Sequence, residues 1–376
     1  MGTSEIFSHK YYRLCHLADL LVNAYILELF NALKILSLLR KTPTDALGII
    51  RHFEFAGQAE KPLKWMCQFL EEHFVLKSIQ EGDANKFSLI SKKSPAPKTI
   101  ENNMLKLDNG IEVFCQLLQN VFNEYPRFFQ GKSGAEILFS GDGIKLWNRY
   151  FSNENSGYRV YNLFGARCLS EWGDGNKGKF LELGAGVGSA TIPVLKSLSN
   201  LKKRDLIDEY ICSDISPVLL KIARQNLIEE GAESTFNISF KRLNFNQEFN
   251  RQGIEHESLS VVYGVNSLHV AKDLLFTLKE INRSLRGGGV LVITECVRST
   301  NNRFPFQEVI FNMLDNYRDV TLDPDYRPTY GFLDLAHWKK LLKVSGFCNV
   351  ETMSNKQIRS SAKRPELAMV IKGEKS

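Results

Sequence analysis

Two residues able to do proton chemistry stand just past apolar runs: His269 closely follows residues 259–264, and Glu295 directly follows residues 290–294. A carboxylate that accepts a hydrogen bond from one imidazole nitrogen fixes the tautomer and raises the basicity of the other nitrogen, which can then take a proton from an acceptor. The pair works only if the fold brings its two halves together. Read as parallel strands joined by one helix over about 273–285, the two runs deliver both side chains to the carboxyl edge of a sheet, where open α/β sheets bind ligands. Asn266, one short loop from His269, could contact a cofactor or the acceptor. Taken alone, His269 reads as a strand-end cap or a helix contact and Glu295 as a solvated loop acid. Three further signals at the same edge favour the chemical reading.

The first is the segment 180–188, Phe-Leu-Glu-Leu-Gly-Ala-Gly-Val-Gly, an apolar strand that runs into Gly184, Gly186 and Gly188. A turn without side chains lets a ligand lie on bare backbone, and the following helix offers its N-terminal amides. A dinucleotide fingerprint would place its third glycine at 189, which is serine. Acidic Glu182, two residues before the first glycine, suits a ligand with positive charge better than a pyrophosphate. That ligand would be the sulfonium S-adenosylmethionine, released as S-adenosylhomocysteine. The second signal is Asp214, which ends the strand 208–214, 26 residues after Gly188. It can accept both ribose hydroxyls, with Ile215 beside it, although it also precedes Ile-Ser-Pro217 as a helix cap would. The third strand, 238–243, ends in Asn244 and Phe245, which offer an amide to the adenine edge and a wall to its face; Asn246 could replace Asn244.

The elements that must position these residues follow from the pattern. From residue 180 to 289 strands and helices alternate, which predicts an α/β class chain with a Rossmann-like, mostly parallel sheet; residues 348–354 and 367–372 add a final strand pair to make seven. Residues 1–135 instead show helical spacing at 18–39, 43–51, 62–76 and 110–123, with a hairpin over 75–90 turning at Gln-Glu-Gly-Asp-Ala-Asn. That is the order of a winged helix. Residues 91–103, with Pro95 and Pro97, read as an exposed linker, and the chain divides at 135 into a helical dimerisation or lid domain and a domain over 136–376.

Composition limits the function classes. The sequence has 376 residues, 43% of them hydrophobic, and 48 basic against 42 acidic residues interleaved to give a net charge of +6. The balance argues against a nucleic-acid clamp. Seven cysteines, widely spaced and without any CxxC, read as reduced core residues rather than metal ligands. The apolar run 18–39 is interrupted by Asp19, Asn23, Glu28, Asn31 and Lys34, so it reads as an amphipathic helix rather than a signal or membrane span, and a cytoplasmic, metal-free protein with no membrane partner is expected. A winged-helix regulator is a competing class, but its recognition helix, 61–74, mixes Lys61 and Lys64 with Glu71 and Glu72 and forms no positive stripe. The expected use of this region is instead dimerisation, with the helix 20–39 exchanging contacts with a partner subunit, and formation of a wall over the substrate pocket.

The run Val-Asn-Ser-Leu-His269-Val-Ala-Lys-Asp273-Leu-Leu-Phe-Thr-Leu, followed by Gly-Gly-Gly-Val-Leu-Val-Ile-Thr-Glu295, resembles the C-methyltransferase domains of polyketide synthases, within the class I S-adenosylmethionine-dependent methyltransferases. Further matches are Ile-Leu-Phe139-Ser-Gly-Asp-Gly143, residues 210–216 and 243–253; the likeness covers about 136–372. It implies a catalytic His269 and Glu295, carbon as the acceptor atom, and a small-molecule acceptor that is free or carried on a protein. Two departures stand out. Asn244 replaces a usually acidic residue, and the winged-helix-like N-terminus is similar to small-molecule O-methyltransferases, in which a Trp-Ser-Asp type stretch commonly follows the histidine where this chain has Val-Ala-Lys-Asp. Oxygen therefore stays open as the acceptor atom. An aromatic lid over 296–331 suits an organic acceptor, with Tyr326, Arg327 and Tyr330 in a proline-bounded loop as the expected substrate contacts.

Overall fold

A computed structural model describes residues 6–81, 84–172, 175–232, 234–298, 304–355 and 367–376. Its centre is a seven-stranded sheet of β3 (Gly178–Leu183), β4 (Ile207–Asp214), β5 (Ile238–Arg242), β6 (Leu259–Val265), β7 (Leu285–Cys296), β8 (Phe347–Ser354) and β9 (Ala368–Lys375), in the order β5-β4-β3-β6-β7-β9-β8. The first five of these run parallel, and β9 inserts antiparallel between β7 and β8. Strand order reverses between β3 and β6, the crevice where such sheets bind ligands.

Alternation along β3 sorts the two faces. Leu181 and Leu183 join a core with Leu278, Leu285, Trp338 and Leu341 beneath the helices Leu274–Ser284 and Leu335–Val344. Phe180 packs on the opposite face, in a larger core shared with the helix Ser156–Trp172 and the N-terminal helices. Period-two geometry sends Glu182 to this second face as well.

The N-terminal region has the expected helices and the hairpin β1 (Leu76–Glu81) and β2 (Ala84–Leu89), while Gly82 and Asp83 of the expected turn lie outside the described residues. Two expectations need correction. The run 18–39 is two helices, His9–Ala32 and Ile35–Lys41, broken where Lys34 takes φ +61°. Residues 97–107 are helical rather than linker, because Pro97 suits the first turn and Ile100 and Met104 bury against the helix His9–Ala32. The helix His9–Ala32, which is long and apolar enough to cross a membrane, buries Leu21, Val22, Ile26, Leu27 and Phe30 within its own chain.

Helix Glu60–Glu72 buries one face. Trp65, Met66, Phe69 and Leu70 are buried, the Trp65 indole donates to Glu308, and Lys61 Nζ donates to the Arg318 carbonyl at 2.6 Å. A recognition helix must present a free face to a DNA groove. In this one Glu60, Lys61 and Lys64 stay exposed and mix both signs of charge, while the buried face packs against the segment that follows β7.

Candidate active site

A cavity of about 390 Å³ opens at the carboxyl edge of β3, β4, β5, β6 and β7. Its floor is the glycine turn. Gly184, Gly186 and Gly188 have φ values of +68°, +56° and +81°, the left-handed region that side chains disfavour. Each glycine has a different neighbour. A Cβ at Gly184 would meet Ser267 Cβ at 2.7 Å, one at Gly186 would meet nothing within 4 Å, and one at Gly188 would touch Ala223 at 3.4 Å. Gly184 and Gly186 line the cavity, so the backbone there is bare to a ligand, whereas Gly188 spaces the turn from the helix Pro217–Glu229.

Asp214 faces the same cavity. Its Oδ2 accepts from the Gly186 amide at 3.0 Å and its Oδ1 from the Ser216 amide at 2.8 Å, while Ser216 itself caps the helix Pro217–Glu229. Burial pushes the Asp214 carboxyl up from its ordinary value, against the pull of those amides. Ile215, Asn244, Phe245 and Asn266 also line the cavity. The Asn244 carbonyl oxygen Oδ1 accepts from the Asn246 amide at 3.0 Å, which directs its NH₂ away from that turn. Asn266, held at φ +46°, accepts on Oδ1 from the Cys296 amide at 2.6 Å and so clamps the ends of β6 and β7 together.

Glu182 is elsewhere. It is 1% exposed and does not line the cavity; its Oε2 accepts from Thr191 Oγ1 at 2.6 Å and from Tyr210 Oη at 2.7 Å. The expectation that it faces a cationic ligand is corrected by strand alternation, which aims it between β4 and the helix Thr191–Asn200. Burial raises its carboxyl to about 7.

At the other side of the crevice His269 sits in a single turn, Leu268–Val270, and Glu295 on β7 itself. The two side chains are 5% and 0% exposed, and His269 Nδ1 lies 2.7 Å from Glu295 Oε2. Glu295 Oε1 accepts from the amides of Leu268 (3.1 Å) and His269 (3.4 Å). Each carboxylate oxygen is therefore committed, and Nε2 is the imidazole nitrogen left for the cavity that His269 lines. The close approach of the 266–269 loop to β3 depends on Gly184, and Ser267 Oγ fastens it by donating to the Leu183 carbonyl at 2.9 Å.

The expected substrate contacts do not line the cavity. Arg327 is 1% exposed, and its guanidinium donates to the carbonyls of Ala271 at 2.6 Å and His269 at 2.8 Å, so it clamps the histidine loop from behind. Burial lowers it to about 10. Tyr330 lies against Lys61, whose Nζ is 5.4 Å from its ring centre, and Tyr326 packs on the opposite face of the sheet with the Leu335–Val344 side. The far wall comes instead from the N-terminal domain, expected to form a lid, and from the helices before β3, in neither of which a site residue was named. Tyr11, Leu14, Cys15 and Ala18 contribute one face of the N-terminal helix, and Trp147, Tyr150, Phe151, Tyr158 and Tyr161 come from the helices before β3. Helical spacing was the available signal: 11, 14, 15, 18 and 147, 150, 151 are one-face sets.

A reversed-order parallel sheet with a glycine floor, an acid at the end of β4 and a buried histidine and carboxylate opposite defines an α/β nucleotide-site enzyme. Residues 181–291 match the family profile described as Methyltransferase domain. Over those residues the chain carries a methyltransferase domain, set on a Rossmann-like α/β sheet. In sequence it is similar to highly reducing polyketide synthase PKS2 of Leptosphaeria maculans, 30% identical over 177 residues, which are 46% of this chain and 6% of that protein. It is also similar to polyketide synthase PksR of Bacillus subtilis, 25% identical over 295 residues, 76% of this chain and 11% of that protein. The chain thus spans a small fraction of these relatives. In fold it is similar to the CurJ carbon methyltransferase (TM-score 0.76, 20% identity, 97% of this chain and 92% of that one) and the DszA carbon methyltransferase (0.73, 22%, 97% and 90%). The trans-methyltransferase CalH, solved with SAH, gives 0.64 at 18% identity over 95% of this chain and 90% of that one.

Proposed function

We propose that the chain methylates an acidic carbon of a small organic acceptor, with His269 as the general base and Glu295 as its orienting partner. The observation that carries the reading is the buried 2.7 Å contact of His269 Nδ1 with Glu295 Oε2 at the wall of the cavity. The cavity also fits the cofactor: Gly186 presents open backbone, and Asp214 is an acid held at the mouth by two amides that leave lone pairs for hydroxyl groups. When bound, S-adenosylmethionine supplies the electrophilic methyl. Gly184 and Gly186 would receive its amino-acid part, Asp214 its ribose, and Phe245 and Asn244 its base.

The rest is work for the chain's own groups. With Glu295 ionised, Nδ1 keeps its proton and Nε2 carries the lone pair; it takes a proton from the acceptor, and Glu295 stabilises the imidazolium that results. The Arg327 and Glu295 bonds to backbone around residue 269 hold that nitrogen in one place, which matters because well-aligned reactants gain roughly 7–11 kcal/mol over free ones. Aromatic walls at Phe311, Phe332 and Tyr158 exclude water from the acceptor. The carbon methyltransferases of similar fold and the polyketide synthases of similar sequence support an acceptor of polyketide type, with an acidic C–H beside a carbonyl, free or carried as a thioester. Oxygen methylation by the same base is the second reading. Incubating the full chain with S-adenosylmethionine and either a 3-ketoacyl thioester or a phenol, then locating the methyl group by mass spectrometry, tests the choice. The account expects methyl on the carbon between two carbonyls; methylation of the phenol alone would replace it with the second reading.

A further inference from the structure

The segment after β7 contains a buried carboxylate that the chemistry above does not use. Glu308 is fully enclosed, and four side-chain or backbone groups converge on it. Arg298 Nη2 donates to both oxygens at 2.8 Å, Trp65 Nε1 to Oε2 at 2.7 Å, Tyr317 Oη to Oε1 at 2.9 Å and the Phe332 amide to Oε1 at 3.2 Å. A buried ion pair is weak evidence of stability, because desolvation offsets much of the attraction. What its partners touch suggests a different use. The rings of Tyr317 and Phe332 lie 5.8 Å and 4.4 Å from the imidazole of His269 and line the same cavity. The backbone is shaped around this contact: a Cβ at Gly331, φ +75°, would meet Tyr317 Oη at 2.5 Å and Glu308 Oε1 at 2.7 Å.

We propose that Glu308 is a positioning residue for methyl transfer: by fixing Tyr317 and Phe332 it holds the His269 imidazole in orientation and keeps it dry, with Trp65 of the N-terminal region as the anchor. Glu295 secures the edge of the ring and these two side chains its flank. The proposal rests on reading His269 as the base. Titratable or charged groups against the ring are Glu295 and Tyr317, with Arg327 on the backbone carbonyl of residue 269 and Tyr158 lining the same cavity.

The test uses Glu308→Gln in the full chain, with cofactor affinity by calorimetry, steady-state kinetics, and titration of the His269 ring by NMR. The expected result is a kcat lower by about 10- to 100-fold, as for a misplaced reacting group, with cofactor affinity unchanged. Water admitted beside the ring changes its solvation, so the His269 titration should differ from that of the unaltered chain. Removing the charge also deprives Arg298 of its counter-ion and endangers folding, so Tyr317→Phe serves as a second variant that keeps the ring and the ion pair while cutting the tie; it should move both readouts in the same directions, by less. An unmoved His269 titration and unchanged kcat in the variants overturn the proposal. Survival of methyl transfer in His269→Ala is a separate outcome that removes the base beneath it.

Discussion

Two fully buried glutamates flank the crevice, and the contrast between them shows what makes a carboxylate chemical. Glu182 lies behind the glycine turn and accepts from the hydroxyls of Thr191 and Tyr210, neither of which lines the cavity. Glu295 ends β7 and accepts from two amides and from an imidazole whose remaining nitrogen is left for the cavity. Burial is the same, and the shortest bond of each is similar, 2.6 Å at Glu182 and 2.7 Å at Glu295. The difference lies in whether a donor can pass the effect on to a ligand. Glu182 braces a strand against a helix, while Glu295, in the proposed reading, sets the state of the group that meets the acceptor.

The largest effect should come from cutting that relay. His269→Ala is expected to lower turnover by about 10²- to 10⁴-fold, the usual range for general-base loss, with cofactor affinity by calorimetry nearly unchanged; comparable loss on Glu182→Gln would erase the contrast. Glu295→Gln should follow, because an amide in its place stabilises the imidazolium less, and the loss should appear in kcat rather than in cofactor binding. Gly184→Ala comes next. Its Cβ would collide with Ser267 at a φ of +68°, costing about 1–3 kcal/mol in strain, read as a lower urea midpoint together with weaker cofactor binding.

Glu182 should show itself in stability rather than rate. Its carboxyl is raised from 4.5 to about 7, chiefly by burial. The folded chain therefore keeps a proton that the unfolded chain has lost between those values, so this contribution is fully present below about pH 4.5 and disappears as pH rises through about 7. Glu182→Gln should flatten that decline in urea midpoint and leave turnover little changed. The smallest effect is expected from Tyr326→Phe, a residue away from the cavity, and a clear change in KM for the acceptor would show that the wall has been drawn too narrowly.

Much of the catalytic edge was legible in the sequence because parallel strands announce themselves as apolar runs and their last residues must share one edge. Asp214, Asn244, Phe245, Asn266 and His269 all line the cavity for that reason, and Glu295 stands behind His269, 2.7 Å from its Nδ1. Glu182 was misread because proximity to the glycines in sequence says nothing of the face; alternation from Phe180 would have placed it inward. Tyr326, Arg327 and Tyr330 were chosen for polar tips in a constrained loop, a signal equally satisfied by Arg327 capping carbonyls. The far wall came from tertiary packing: the face of the helix His9–Ala32 shared by Tyr11, Leu14, Cys15 and Ala18 looks like ordinary core until the sheet is set beneath it.

The most direct measurement follows proton removal without methyl transfer. With S-adenosylhomocysteine bound and a 3-ketoacyl thioester as acceptor, the protein in D₂O should accelerate deuterium exchange at the carbon between the carbonyls, and His269→Ala should return the rate to that of buffer alone. Exchange in that variant as fast as in the unaltered chain would contradict the account.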